Sequence, residues 1–183
     1  MTSMSAVAIR RGVVADAPAL ARFAADTFVE AFGAVTAPAD LAAHLANTYG
    51  PALQAAELAD PDVVTLLALR DESVVAYAQV RRNADAPECI DGRDTVEVSR
   101  FYAEHSVRGT GVTHQLMQRS LDAVIELGGR HAWLGVWEKN QRAIAFYRKL
   151  GFVPVGHKIY VVGSDRQTDH VMLLSNLETR KQE

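Results

Sequence analysis

The chain has 183 residues, of which 49% are hydrophobic and 22% are charged, the balance of one ordinary globular domain. A net charge of −3 and a calculated pI of about 6.1 argue against a nucleic-acid-binding surface, which is usually basic. No apolar stretch approaches the roughly 18 residues of a membrane span, and the first residues lack the apolar core of a signal peptide. Cys89 is the single cysteine, which excludes an intramolecular disulfide and a zinc site built from several thiolates. We therefore expect one cytoplasmic domain spanning residues 1–183, with no metal, no nucleic-acid partner and no membrane partner.

The first third of the chain is predicted to be mostly helical. A short strand over residues 7–10 precedes a helix over residues 17–32, in which apolar side chains recur at helical spacing. Two short alanine-rich helices are predicted next, over residues 39–47 and 51–58.

Strands and helices then alternate. Two continuous apolar runs, residues 63–69 and 74–80, flank a polar turn and predict a hairpin of buried strands, and residues 83–94 predict a loop. The later predicted elements are a strand over residues 95–103, a helix over 112–127, a strand over 132–137, a helix over 140–150, and strands over 159–162 and 170–174. This order predicts an α/β fold, a mixed central β-sheet flanked by helices on both faces. We expect order over residues 6–177 and a frayed tail.

A glycine-containing loop over residues 107–113 connects a predicted strand to a predicted helix. Glycine allows close approach of the backbone to a ligand, and the start of a helix presents free N–H groups and positive dipole. Such a loop can hold a pyrophosphate, with Arg108 adding charge at its edge, although an ordinary turn has the same composition. The pattern is neither a Walker A loop nor a Rossmann fingerprint.

Two segments resemble the GNAT superfamily of N-acetyltransferases. The strand Val-Glu-Val-Ser-Arg-Phe-Tyr-Ala at residues 96–103, followed by Arg108-Gly109-Thr110-Gly111, resembles the family's Q/R-x-x-G-x-G/A signature. Thr113 departs from that signature at its second glycine or alanine, and Ala103 replaces a more usual valine. Residues 134–152, which contain Asn140 and Tyr147, resemble the other family motif almost position by position.

The resemblance implies an enzyme that transfers an acetyl group from acetyl-CoA to an amine. Tyr147 falls where the family has the tyrosine that protonates the departing thiolate, although its spacing alone also fits a core aromatic. Asn140 falls where an asparagine bonds the pantetheine arm, and it is also a good helix N-cap. The residues expected to bind acetyl-CoA are Phe101, Tyr102, Ala103, Arg108, Gly109, Thr110, Gly111, Val112, Thr113, Asn140 and Tyr147.

The general base is less directly indicated. Glu97 stands where some GNAT enzymes have a catalytic glutamate, and a solvated or ion-paired strand residue is the other interpretation. Strict strand alternation would group Glu97 with Ser99 and Phe101 on one face. Arg100 is expected to pair with a carboxylate, and the histidines near the loop are expected to lie at the surface.

The acceptor is predicted to be a small cationic amine. The chain's end and its first helix resemble the bacterial spermidine/spermine acetyltransferase subgroup, and Glu30, with Asp26 one turn before it, could bind a distal ammonium. The alternatives are a protein N-terminal or lysine acetyltransferase and a non-catalytic acyl-CoA-binding module. A homodimer is left open, since many family members are dimers.

Overall fold

A computed structural model describes residues 6–82, 84–90 and 94–180. The helices and strands are β1 (Ala8–Arg11), α1 (Ala17–Phe32), α2 (Pro38–Thr48), α3 (Pro51–Ala59), β2 (Val63–Arg70), β3 (Ser73–Arg81), β4 (Thr95–Ala103), α4 (Val112–Glu126), β5 (His131–Trp137), α5 (Gln141–Lys149), β6 (Val153–Val162), β7 (Asp165–Leu174) and α6 (Leu177–Arg180). The predicted order of elements through β7 is confirmed. The predicted loop over residues 83–94 lies partly outside the described residues.

Within the described residues the strands form one seven-stranded mixed sheet in the order β1-β2-β3-β4-β5-β7-β6. β4 and β5 run parallel, and the other neighbouring strands run antiparallel. One buried cluster, which includes Leu116, Met117 and Leu134, packs α4 and α5 against one face. A second cluster around Phe28 and Tyr77 packs α1 against the other face, so the predicted fold class is confirmed. No helix in the described ranges has both the length and the apolar composition needed to cross a membrane.

The last hairpin is longer than predicted. β6 and β7 each have ten residues. The prediction missed the start of β7 because this stretch is polar and shows no alternation of apolar and polar residues. Gln167 and Asp169 are buried at alternate positions before the apolar Val171, so they belong to the same inward-facing row. Leu177, at the end of the range expected to be ordered, is only 3% exposed, and its N–H donates to the Arg130 carbonyl at 3.0 Å.

A bulge interrupts β4 at Ser99. Gln79 of β3 pairs with Arg100, whereas the next residue, Val80, pairs with Val98, so Ser99 has no opposite residue. An extra residue in one strand reverses the alternation of the side chains beyond it. The bulge therefore determines which side chains of β4 face each layer of helices.

The predicted grouping of Glu97, Ser99 and Phe101 on one face is accordingly wrong for Phe101. Val98 and Phe101 both pack with the cluster under α4 and α5. Glu97 contacts Lys158 of β6 on the opposite face. Strict alternation fails here because the sequence carries no signal for a bulge at a serine.

β4 and β5 pair over only three residues each. Thr95–Glu97 lies beside His131–Trp133, and pairing stops there although both strands continue. The unpaired ends of two central strands leave a gap in the sheet that connects its two faces.

Candidate active site

A cleft of about 470 Å³ lies at this gap. It is lined by parts of α1, β4, the loop before α4, β5, α5, β6 and β7. We call the part lined by α5 and the loop before α4 the α5 half, and the part lined by α1, β6 and β7 the β7 half. Because the gap joins them, two ligands can enter from opposite faces of the sheet and meet between β4 and β5.

The loop between β4 and α4 is open toward a ligand. Gly109 and Gly111 have φ of +77° and +93°, and a Cβ atom on either would meet no atom within 4 Å. Val107 is fully buried and anchors the loop, and its carbonyl accepts a hydrogen bond from the Thr110 hydroxyl at 2.7 Å. Gly111 is the N-cap of α4, whose first turn presents N–H groups without helical acceptors. This geometry can hold an anion such as a pyrophosphate.

Most of the residues predicted to bind acetyl-CoA line the cleft. Phe101, Tyr102, Ala103, Arg108, Gly109, Thr113, Asn140 and Tyr147 do so. Thr110, Gly111 and Val112 complete the same loop and the start of α4. Thr113, which departs from the family pattern, stands in the first turn of α4 with its side chain half-buried.

Asn140 and Tyr147 are fixed at the two ends of α5. The Asn140 side chain accepts a hydrogen bond from the Ala143 N–H at 3.1 Å, which confirms its prediction as an N-cap. Tyr147 is 7% exposed and contacts the rings of Phe101, Phe146 and Phe152. Burial raises the pKa of the Tyr147 hydroxyl well above its ordinary value, so it stays protonated at neutral pH.

The β7 half contains two carboxylates with different surroundings. Glu97 lies 3.5 Å from the Lys158 ammonium, and burial raises its pKa although Lys158 acts in the opposite direction. Asp169 of β7 is 8% exposed and forms no ion pair with the described residues. Burial raises the pKa of Asp169 to about 6, with Lys158 opposing and Glu138 adding to the shift.

The arginines of this half are already paired. Arg100 and Arg81 donate to the two oxygens of Glu57 at 2.6 and 2.9 Å, and Arg100 also lies over the ring of Tyr49. The expectation that Arg100 pairs with a carboxylate is confirmed. Gln79 also donates to Glu57, at 3.2 Å, so α3 is tied to β3 and β4 by a buried polar network.

Glu30 is connected to the cleft through Arg108, which lines it, and is not itself among the described lining residues. Its carboxylate, 49% exposed, pairs with Arg108 at 3.0 Å, and Arg108 also donates to the Ala103 carbonyl at 2.9 Å. Asp26 is exposed to solvent. The two predicted loop histidines, His105 and His114, are also exposed, as expected.

Sequence reasoning missed Lys158, Tyr160 and Asp169, all of which line the cleft. Lys158 and Asp169 lie just outside the strands predicted over residues 159–162 and 170–174, whereas Tyr160 lies inside the first of them but was not singled out as a site residue. The available signal was the i, i+2 spacing of Gln167, Asp169 and the apolar Val171, which extends the strand backwards.

The chain is similar to known acetyltransferases. A model of the acetyltransferase (GNAT) family matches residues 26–152. An uncharacterised N-acetyltransferase of Mycobacterium tuberculosis is 36% identical over 158 residues, which cover 86% of this chain and 96% of that protein.

Two solved structures share its fold. PaiA N-acetyltransferase of Thermoplasma acidophilum, solved with coenzyme A, has a TM-score of 0.73 at 15% identity and covers 93% of this chain and 99% of its own. YncA of Salmonella typhimurium, solved with acetyl-CoA, has a TM-score of 0.64 at 22% identity and covers 93% of this chain and 94% of its own. The chain therefore belongs to the acetyltransferase (GNAT) family and is an acetyl-CoA-dependent N-acetyltransferase.

Proposed function

We propose that the protein acetylates a small cationic amine by direct transfer within the cleft. The observation that carries this proposal is the gap between β4 and β5, which joins an anion-accepting loop to a half that contains the unpaired carboxylate of Asp169. Two substrates bound in the two halves would meet with their reactive groups adjacent, which removes most of the entropic cost of bringing them together.

Acetyl-CoA would occupy the α5 half. The loop from Arg108 to Thr113 would bind the pyrophosphate, and the free edge of β4 from Phe101 to Ala103 would bind the pantetheine arm through backbone groups. N–H groups near the end of β4 would hold the thioester oxygen. The relatives solved with coenzyme A and acetyl-CoA support a ligand of this class in this fold.

Tyr147 would act as the general acid. The amine nitrogen attacks the thioester carbon, the C–S bond breaks, and the thiolate takes the phenolic proton of Tyr147. Its burial in the cleft wall and its raised pKa support this role, because the proton is retained until the leaving group develops negative charge.

A carboxylate of the β7 half would remove the proton from the acceptor amine. Glu97 is the base predicted from the sequence, and its buried carboxylate at the cleft supports that role. Its contact with Lys158 is an argument against it, since a neighbouring ammonium makes a carboxylate a weaker proton acceptor.

The acceptor would be a polyamine or a similar cation. Three basic side chains around the β7 half, Arg81, Arg100 and Lys158, lie near three carboxylates, Glu57, Glu97 and Asp169, so a cation meets little net repulsion. Trp137 and Tyr160 add aromatic surface that suits an alkylammonium group. Glu30, which forms an ion pair with Arg108, would bind the distal ammonium. Its carboxylate would then contact both the ammonium and the Arg108 guanidinium.

The test is a thiol-release assay with acetyl-CoA and three acceptors: spermidine, a monoamine of similar length, and a peptide with a free N-terminus and a lysine. We expect acetylation of spermidine, with Glu30→Gln weakening spermidine by about 10- to 100-fold, the range for a charged hydrogen bond, and sparing the monoamine. Acetylation of the peptide alone would overturn the proposal in favour of a protein acetyltransferase.

A further inference from the structure

Asp169 is a buried carboxylate without a partner in the described structure. It is 8% exposed, it lines the cleft, and no described side chain donates a hydrogen bond to it or lies within 4.0 Å as an ion pair. Lys158 only partly offsets the burial of Asp169, and a buried carboxylate without a direct partner is unfavourable to folding.

The position of Asp169 is at the gap between the strands. A Cβ atom on Gly135 of β5 would lie 3.2 Å from Asp169 Oδ2, so the carboxylate rests above the backbone of Gly135. Pairing of β5 with β4 has stopped two residues earlier, at Trp133. The same point lies 2.5 Å from Lys158 Cε and 3.0 Å from Lys158 Nζ, so the absence of a side chain on Gly135 leaves room for the Lys158 side chain and the Asp169 carboxylate at the level where the two halves join.

Glu97 occupies a different position relative to the same lysine. Lys158 Nζ is 3.5 Å from Glu97 and also lies over the ring of Trp133, which together hold the ammonium toward β4. Lys158 and Asp169 are cross-strand neighbours, yet they form no ion pair. Lys158 therefore forms its ion pair with Glu97, and its charge only partly offsets the burial of Asp169.

We infer that Asp169 is the group that binds the reacting ammonium of the acceptor and takes its proton, while Glu97 acts as a positioning residue through Lys158. This inference rests on the proposed function. One N–H bond of the ammonium breaks and its proton passes to an Asp169 oxygen, and the nitrogen lone pair attacks the thioester carbon. The C–S bond then breaks, Tyr147 protonates the thiolate, and the second proton lost by the nitrogen restores the Tyr147 phenol. The Asp169 proton then leaves to solvent, so the turnover releases one proton overall.

The groups that set the charge of Asp169 come from three elements. Lys158 and Tyr160 lie on β6, Glu138 follows β5, and Glu97 reaches the site from β4 through Lys158. With a pKa of about 6, Asp169 would be ionised at neutral pH and could accept a proton there.

The test is the pH dependence of kcat/KM with the best acceptor found in the thiol-release assay. A base in the site lets the enzyme use the abundant ammonium form of the acceptor, so kcat/KM of the wild type should become constant above about pH 7. Asp169→Asn can use only the rare neutral amine, so its kcat/KM should fall roughly 100-fold at pH 7 and keep rising about tenfold per pH unit through pH 9. Asp165→Asn, on the same strand but away from the cleft, should keep the wild-type profile.

Glu97→Gln separates the two carboxylates and serves also if Asp169→Asn does not fold. We expect Glu97→Gln to retain the plateau, with its acidic limb displaced to lower pH, because the released Lys158 would lower the pKa of Asp169. The inference is overturned if Asp169→Asn keeps the plateau or if Glu97→Gln loses it. If wild type acetylates no amine at all, the proposed function itself fails, which is a distinct result.

Discussion

Arg108 and Glu30 form an ion pair of 3.0 Å that joins the loop before α4 to α1. Arg108 also donates to the Ala103 carbonyl at 2.9 Å, so its guanidinium is fixed to the end of β4 as well. The side chain predicted to meet the pyrophosphate is therefore held at the edge of the cleft before any ligand binds.

Changes at these two residues should act in opposite directions on acetyl-CoA affinity. Arg108→Ala should raise the acetyl-CoA Kd roughly 10- to 100-fold, because a charged hydrogen bond to phosphate is lost. Glu30→Gln should lower that Kd up to about fivefold, because Arg108 no longer has to leave an exposed ion pair. Calorimetric titration measures both, and Arg148→Ala on the exposed face of α5 is the control. Weaker binding in Glu30→Gln would mean that the pair orients Arg108 for the ligand.

A pair of substitutions at Gly111 that differ only in charge tests the anion site. Gly111 has a positive φ, which Asn and Asp tolerate better than other non-glycine residues. Gly111→Asn and Gly111→Asp should therefore carry similar backbone strain, but only Asp adds a negative charge beside the phosphates. We expect acetyl-CoA to raise the melting temperature of the Asn variant and to have no effect on the Asp variant. Equal shifts in the two would exclude the loop as the phosphate site.

Tyr147→Phe tests the general acid. The substitution keeps the ring contacts and removes the hydroxyl, so kcat should fall about 100-fold while the acetyl-CoA Kd stays nearly constant. Tyr77→Phe is a matched control, since the Tyr77 hydroxyl is buried away from the cleft and hydrogen-bonds to no described residue. An unchanged kcat in Tyr147→Phe, with chemistry rate-limiting, would assign Tyr147 to the core.

Asp169 should reduce stability at neutral pH. Its pKa is about 6 in the folded protein and about 4 in an unfolded chain, so folding favours the protonated form. The stabilisation that the protonated Asp169 gives to the folded protein is fully present below pH 4 and is lost as the pH rises through 6. When the pH is raised from 4 to 7.5, the free energy of unfolding of Asp169→Asn should therefore increase relative to that of wild type by on the order of 2 kcal/mol. Urea unfolding of both proteins at the two pH values measures this, and a constant difference would mean that Asp169 is not destabilised when ionised.

The sequence was most informative where a periodic apolar pattern coincided with a family motif. The bounds of α1 and β4 were predicted to the residue, and the loop before α4 lies where expected. The cap pattern and the family motif both indicate Asn140, whereas Tyr147 was singled out by the motif alone; both residues line the cleft.

The β7 half could not be predicted in the same way. Asp169 lies in a polar stretch, and its burial depends on pairing with β5 and β6, which flank β7 in the sheet. The bulge at Ser99 depends on the register with β3, which no local pattern records. Arg108 was predicted to contact phosphate and Glu30 a substrate, but their pairing is a tertiary contact between distant segments.

The most direct test of direct transfer across the gap is to mix the protein with acetyl-CoA alone and then with acetyl-CoA and an amine. Free thiol and the intact mass of the protein are measured in each case. Direct transfer predicts thiol release only when the amine is present, with the protein mass unchanged throughout. Release of one equivalent of thiol without amine, accompanied by a protein heavier by one acetyl group, would contradict it.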